Sequence, residues 1–423
     1  MPKTPQTFSK HFLWGAATSA HQVEGGNHNT WSVWELENAR ALAARALYQY
    51  GDLSSWGYTS KLATNPANYV SGRAVDHYKR YEQDFDLLGD LNMNAFRFSI
   101  EWSRIEPQEG AWNVEAIAHY KTYIDTLHKR GIEPVMTLFH FTLPVWFAEK
   151  GGFEKRANIK YFLRYVEKVM EELSTNVRYA ITINEPNIYS ERSYHEGAWP
   201  PNTQSNWKTL AVMNNLIRAH NQAAVLIYKL KPRMKVSIAY HTAYIYAGDD
   251  AWLSQLSASF MQYVHDDYYL KRVYKNCDFL GINYYRSYRV YGYRIHNPEQ
   301  HHSDLGWEIS PDNIEHALVR LHDKYKLPIL ITENGIADAR DEKRQAWIEA
   351  TIRAMLAAQS EGVNLIGYLH WSLLDNIELD SGRWPRFGLA QVNYLTMERK
   401  LRPSAVWFGK VIKRLRKAEK EES

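Results

Sequence analysis

Residues 114–139, VEAIAHYKTYIDTLHKRGIEPVMTLF, read as a helix followed by a buried strand. Ile117, Tyr120, Ile124 and Leu127 recur at steps of three and four, which gathers them on one helix face. Gly131 stops the helix, as glycine does where the chain must turn left-handed. Pro134–Phe139 is then a short, nearly continuous apolar run, the pattern of a strand covered on both faces. The same unit repeats along the chain. Strands are expected at Phe12–Gly15, Ala95–Ser99, Pro134–Phe139, Tyr179–Ile183, Lys235–Tyr240, Phe279–Ile282, Ile329–Thr332 and Leu365–Leu369. Helices are expected at Val75–Leu91, Val114–Arg130, Ile159–Leu173, Trp207–Lys231, Leu253–His265, Pro311–Tyr325, Glu342–Glu361 and Pro403–Lys417.

Eight apolar strands alternating with eight helices predict an α/β fold, a closed parallel (β/α)8 TIM barrel. An open doubly wound sheet is the runner-up, but no Gly-rich phosphate loop follows any strand. The 423 residues would hold two or three average domains. With no low-complexity linker or composition break, residues 1–423 read instead as one continuous domain.

Composition narrows the function classes. At 45% hydrophobic residues the chain buries enough surface to offset its ordering entropy, which excludes disorder. No run of 18 apolar residues is present, so no membrane span is expected. A net charge of +4 over this length does not predict a nucleic-acid partner. The densest basic stretch, Lys410–Lys420, reads as a solvated amphipathic helix end. The lone cysteine, Cys277, precedes the apolar run FLGIN and reads as a buried, inert thiol. The opening MPKTPQTFSKHFLWG lacks the apolar core of a signal peptide, so a cytoplasmic location is the expectation. Oligomeric state leaves no trace. The 15 Trp, 29 Tyr and 14 Phe are unusually many. They supply either a large core or flat surfaces that stack on ligands such as sugars.

A barrel carries its active site at the C-terminal ends of its strands. The polar residues found there are His21, Gln22 and Glu24 after the first strand, Arg97 and Glu101 on and after the second, and His140 after the third. Asn184 and Glu185 end the fourth, Asn283 and Tyr285 the sixth, Glu333 and Asn334 the seventh, and Trp371 the eighth. Glu185 in ITINEPN and Glu333 in ILITENG face each other across a barrel mouth, although they are distant in sequence. Two facing carboxylates are what glycoside hydrolysis requires: one protonates the leaving oxygen, the other stabilises or attacks the oxocarbenium carbon. Arg97 and Tyr285 can hold Glu333 ionised, whereas Glu185 has no cation beside it in sequence and suits the protonated acid. The bland alternative is a pair of structural salt-bridge glutamates.

The 17 His form no HExxH or Cys/His ligand pattern, so neither a metal nor a redox cofactor is expected. His301 and His302 read as a solvated loop, and His140 as a group that hydrogen-bonds a sugar. Trp14, Trp31, Trp34, Trp199, Trp371 and Trp384 cluster near the expected mouth, some as core and some as stacking platforms. Gln22, Asn184 and Glu378 supply directional polar contacts among them.

The motifs as a set resemble family 1 glycoside hydrolases, the β-glucosidase and β-galactosidase family of retaining enzymes. The resemblance runs over essentially the whole chain. It is carried in order by FLWGAATSAHQVEGG, RAVDHYKRYEQDFDLL, NAFRFSIEWSRIEP, TINEP, LGINYY, ITENG and WSLLDNIE. It implies that Glu333 is the nucleophile and Glu185 the acid/base. It further implies that Asn184 binds the sugar 2-hydroxyl, and that Arg97, Asn283 and Tyr285 orient the nucleophile. Gln22, His140 and Glu378 would hold the outer hydroxyls, with Trp371 beneath the ring.

Departures from the family pattern bear on specificity. Leu379 follows Glu378 and Phe141 follows His140 where the family has Trp, so two indole donors are lost. O3 and O4 of the sugar, held by Gln22, His140 and Glu378, would then have fewer partners, which would weaken ground-state binding or loosen discrimination between gluco and galacto epimers. Leu379, Pro385 and Phe387 stand where the phosphosugar branch carries Ser, Lys and Tyr, and Glu378 would repel a 6-phosphate. Glu185 is retained where the myrosinase branch has Gln, so O-glycosides are expected. His21, commonly Tyr in the family, has no role assignable from sequence. The loop Asn27–Gly72, with its helical patch ENARALAARAL, either packs on the rim or shapes the aglycone site. The expected activity is that of a retaining exo-β-glycosidase acting on β-glucosides, with β-galactosides or β-fucosides close behind. A transglycosylase and a non-catalytic sugar-binding barrel are the alternatives.

Overall fold

Eight parallel strands form a ring in the computed structural model: β1 (Leu13–Ala17), β2 (Ala95–Ser99), β3 (Glu133–Phe139), β4 (Tyr179–Asn184), β5 (Lys235–Ala247), β6 (Leu280–Tyr291), β7 (Ile329–Asn334) and β8 (Leu365–Trp371). Each pairs with its neighbour in sequence, and β1 pairs with β8. That last pairing closes the barrel and removes the open-sheet alternative. The structure describes residues 8–297 and 302–421, with side chains through 417. His301 lies outside the described residues, while His302 forms an antiparallel bridge with Glu308.

The quoted helix spans Val114–Lys129, with Asn113 at its N-terminus accepting from the Ala116 amide. Gly131 adopts the expected left-handed conformation, φ 68°. Helices also cover His77–Asp90, Ile159–Leu173, Asn206–Leu230, Ile314–Tyr325, Arg344–Ser360 and Pro403–Glu421. Among the described residues, no helix is long and apolar enough to cross a membrane.

Alternation on β2 shows how the layers divide. Phe96 and Phe98 pack outward on Phe85 and Tyr123 of the flanking helices. Arg97, between them, is fully buried and reaches inward to Glu333 of β7. The outer layer is dry and aromatic; the barrel axis holds charge.

Three regions depart from expectation. β5 and β6 run well past Tyr240 and Ile282 and stay paired to Ala247 and Val290, after which Arg294–Ile295 folds back. Their extensions alternate polar and apolar residues, a half-buried pattern unlike the continuous runs of the barrel staves. The helix expected at Leu253–His265 is Trp252–Gln262, and it continues through a π-turn at Tyr263–Asp267 into Tyr268–Val273. The first loop contains a 21-residue helix, Thr30–Tyr50. Asn29 and Ser32 cap it reciprocally, which satisfies amides that the helix itself cannot.

Candidate active site

A cavity of about 920 Å³ opens at the C-terminal end of the barrel. Gln22, His140, Glu185, Tyr285, Glu333, Trp371, Glu378 and Leu379 all stand in its wall. Arg97, Asn184 and Asn283 lie just beneath. They join the two carboxylates in one hydrogen-bonded chain. Arg97 donates from Nη1 to Glu333 Oε1 (2.5 Å) and from Nη2 to Asn184 Oδ1 (2.6 Å). Asn283 Nδ2 donates to Asn184 Oδ1 (3.1 Å) and to Glu185 Oε1 (2.8 Å). The Tyr285 hydroxyl donates to Glu333 Oε2 (2.6 Å).

The two carboxyls therefore differ in surroundings. Burial raises the affinity of both for a proton. For Glu185 the negative charges of Glu333 and, less, Glu378 add to the burial. They are opposed by the Asn283 hydrogen bond and, more weakly, by the Arg97 charge, which makes no direct contact with it. For Glu333 the charge of Arg97 and the Tyr285 hydroxyl pull the other way. When the pair holds a single proton, that proton rests on Glu185.

His140 accepts from Asn184 Nδ2 at its Nε2 (3.2 Å), and burial followed by the Arg97 charge keeps its ring neutral. It lies nearly parallel to Trp371, with ring centroids 6.0 Å apart. Gln22 is held by Ser19, Asn376 and the Ile377 carbonyl. Glu378 Oε2 is out of solvent with no hydrogen-bond partner in the protein. Burial and the charge of Glu333 push its carboxyl up to about 8.

Local backbone places several of these groups. Glu185, Phe141 and Leu379 all have left-handed φ, at 40°, 70° and 47°. Each costs roughly 1 kcal/mol or more for a side chain with a Cβ. Gly335, just after Glu333 and Asn334, is needed for close approach: a Cβ there would sit 1.9 Å from the Trp371 carbonyl oxygen.

Other expected site residues go elsewhere. Glu24 accepts from Arg104 and Tyr120, and Glu101 from Ser103 and Thr142. Asn334 ties Trp347 to the Tyr284 carbonyl. All three brace the rim. Trp14 is away from the mouth: it packs outward on Phe8, Phe12, Tyr368 and Phe408. Trp199 is in the cavity wall, and Trp31 packs behind it at 5.4 Å, with Trp34 against Trp31. Trp384 lies fully buried against Tyr50.

His21 acquires a role that sequence did not disclose. Its Nε2 meets Glu35 Oε1 at 2.8 Å, and Glu35 Oε2 accepts the Ser71 amide. This buried pair ties the exit of β1 to the first-loop helix, whose Gln49 and Tyr50 reach the cavity wall. Sequence reasoning also missed His241, which ends no charged motif but stands in the wall from β5, 6.3 Å from the Tyr285 ring. Cys277 is buried, and burial pushes its thiol up to about 12, which suits an inert core group.

A parallel barrel with a sugar-sized mouth and paired carboxyls defines a glycoside hydrolase architecture. The family model of glycosyl hydrolase family 1 matches residues 4–279 and 261–417, and the chain belongs to this family. It is 29% identical to beta-glucosidase A of Acetivibrio thermocellus, over 96% of this chain and 98% of that one. It is 30% identical to the chloroplastic galactolipid galactosyltransferase of Arabidopsis thaliana, over 97% of this chain and 74% of that one. Among solved structures, the beta-glycosidase from Pyrococcus horikoshii superposes with a TM-score of 0.85 at 33% identity, covering 97% and 96% of the two chains.

Proposed function

We propose that the protein is a retaining exo-β-glycosidase that hydrolyses O-linked β-glucosides, and β-galactosides or β-fucosides beside them. The observation that carries this reading is the unlike setting of two carboxyls on one hydrogen-bonded chain. The Glu333 carboxylate, oriented by Arg97 and Tyr285, attacks the anomeric carbon. Glu185 gives its proton to the glycosidic oxygen as the aglycone leaves. Once Glu333 is an ester, the negative charge that held the proton on Glu185 is gone. Glu185, left as a carboxylate by that first transfer, therefore stays ionised and takes a proton from the water that cleaves the ester, which restores the starting state.

Asn184, fixed by Arg97 and Asn283, is suited to the sugar 2-hydroxyl. Glu378 has an unpartnered oxygen that hydroxyl donors satisfy, and Gln22 and His140 flank it around Trp371. The beta-glucosidase relative supports β-glucosides as substrates.

A panel of nitrophenyl β-glucoside, β-galactoside and β-fucoside tests the reading with the wild type and Glu333→Gln. The variant is expected to lose at least about 10⁴-fold in kcat. Unchanged hydrolysis would sink the mechanism and leave a sugar-binding barrel as the better account. A second reading, transglycosylation, is favoured by the relative named as a galactosyltransferase. The same glycosyl-enzyme would pass to an acceptor sugar, and product analysis at high acceptor concentration separates the two.

A further inference from the structure

The helix Trp252–Gln262 turns its polar side inward. It buries Ser254, Ala258 and Gln262, a small and polar stripe. Ser254 Oγ accepts the Gly292 amide, and Gln262 bridges the Ile245 amide and the Ala243 carbonyl. The large apolar residues face out. Leu253, Leu256, Phe260 and Val264 recur at three- and four-residue steps, with Leu256 60% and Phe260 65% exposed. Surface helices ordinarily do the reverse, because exposing such a stripe forfeits its burial. No Asp, Glu, Lys, Arg or His occurs from Ala251 to Val264, so nothing charged interrupts the outward face. Trp252 and Tyr263 on the same segment, and Tyr293 and Ile295 on the hairpin after β6, widen the exposed apolar surface.

Area and charge together point to one occupant. With an aromatic side chain worth roughly 150–250 Å², these residues present on the order of 800 Å² of apolar surface. That is more than the ~300–600 Å² of the largest patch on an ordinary monomer. It matches the ~800 Å² that each partner brings to a standard interface. The two ends of the stripe carry opposite charge. Asp249 and Asp250 are exposed before its N-terminal end. Lys271, with Nζ 4.7 Å from the centre of the Tyr263 ring, and Arg272 are exposed beyond its C-terminal end. Among the described residues none of these charges makes an ion pair. An anionic lipid surface would suit Lys271, Arg272 and Arg294 of the hairpin but would be repelled by Asp249 and Asp250. A second copy turned end for end satisfies both signs.

We propose that this surface joins two copies of the chain about a two-fold axis at the level of Ala258, with the two helices antiparallel. Residues equidistant from Ala258 then meet: Leu256 with Phe260, Leu253 with Tyr263, and Trp252 with Val264. The same rotation brings Asp249 and Asp250 of each copy toward Lys271 of the other. Antiparallel helix dipoles add to the attraction. A two-fold contact uses the same patch on both copies and closes on itself, so the assembly stops at a dimer. Phe260, Val264 and Ile295 also stand in the wall of the active-site cavity, so the two mouths open beside the seam. Assembly of this kind holds whether or not the glycosidase reading does.

The test is the mass of the full-length chain by sedimentation equilibrium. A dimer is expected at about 10 µM, because interfaces of this size bind at micromolar affinity or tighter. Leu256→Lys and Phe260→Lys are each expected to weaken it by at least about 100-fold, since the two-fold repeats every substitution. A cooperative thermal transition verifies that the resulting monomers are folded. Leu395→Lys changes an apolar group that is 90% exposed on a distant turn and should leave the dimer intact. Asp250→Lys and Lys271→Asp should each weaken the dimer several-fold at low salt, and the two together should restore it. A wild-type monomer throughout the concentration range would overturn the proposal. So would a dimer that neither lysine substitution dissociates. Failure of the combined charge exchange to restore the dimer would overturn the antiparallel arrangement. Monomers that co-sediment with phosphatidylserine vesicles, and cease to do so with Phe260→Lys, would assign the stripe to a lipid surface instead.

Discussion

The layer outside the barrel and the space inside its mouth are built from opposite materials. Outside, Trp14, Phe96 and Phe98 pack on aromatic rings of the helices, Phe408, Phe85 and Tyr123. Inside, Arg97, Glu185 and Glu333 are buried ionisable groups linked through Asn184 and Asn283. Burial in the outer layer stabilises the fold directly. Burial at the mouth costs stability unless the charges pair, and what it yields is a pair of carboxyls with divergent proton affinities. Changes outside should therefore unfold the protein without altering its chemistry, and changes inside should do the reverse.

The sharpest way to break that contrast is Glu185→Gln. For a glucoside with a poor leaving group, a loss of about 10²–10⁴-fold in kcat is expected with little change in thermal midpoint. Glu185 is raised above the ordinary carboxyl range, and as the proposed acid it acts protonated, so wild-type activity is expected to fall as pH rises through that elevated value. The variant should lack this alkaline limb; a profile that keeps it would assign the acid elsewhere. The converse case is Trp14→Ala, which should cost about 3–5 kcal/mol in denaturant unfolding while the folded variant keeps wild-type kcat/KM.

His21→Phe probes a site between the two regions, a buried pair that supports the mouth without touching substrate. Burial lowers the proton affinity of His21, but Glu35, by charge and hydrogen bond, with Glu101 and Glu24, raises it on balance. A raised histidine stabilises the fold fully below its unfolded value of about 6.5, and that contribution is lost as pH rises through the folded value. The variant should be less stable by about 3 kcal/mol at acidic pH. The gap should narrow toward alkaline pH, and a pH-independent gap would show that packing alone is at work. The smallest effect is expected for Leu379→Trp. An added indole donor should raise the gluco-to-galacto ratio of kcat/KM by about three- to tenfold, read on the nitrophenyl pair.

Much of this arrangement is legible in the sequence. The apolar runs mark the eight staves, and the polar residues on and after them include every member of the Glu333–Arg97–Asn184–Asn283–Glu185 chain. Trp14 shows a limit. Both faces of a barrel strand are covered, so period-two alternation does not say which face is the axis, and Trp14 points to the helices instead of the mouth. Glu24, Glu101 and Asn334 show another. A polar residue after a strand is equally at home bracing the rim, and only its partners distinguish the cases. The helix Trp252–Gln262 shows a third, because its apolar stripe predicts burial and the fold leaves that stripe outside.

Residue order alone marks the barrel, the family and the two candidate carboxylates, because these depend on local periodicity and short contiguous motifs. Closure of the ring decides the rest. It sets Arg97 against Glu333 and Asn184, brings His21 to Glu35, and lays the apolar stripe of residues 253–264 beside the cavity. Proton affinity and exposure are properties of an environment assembled from distant segments, and no single segment carries them.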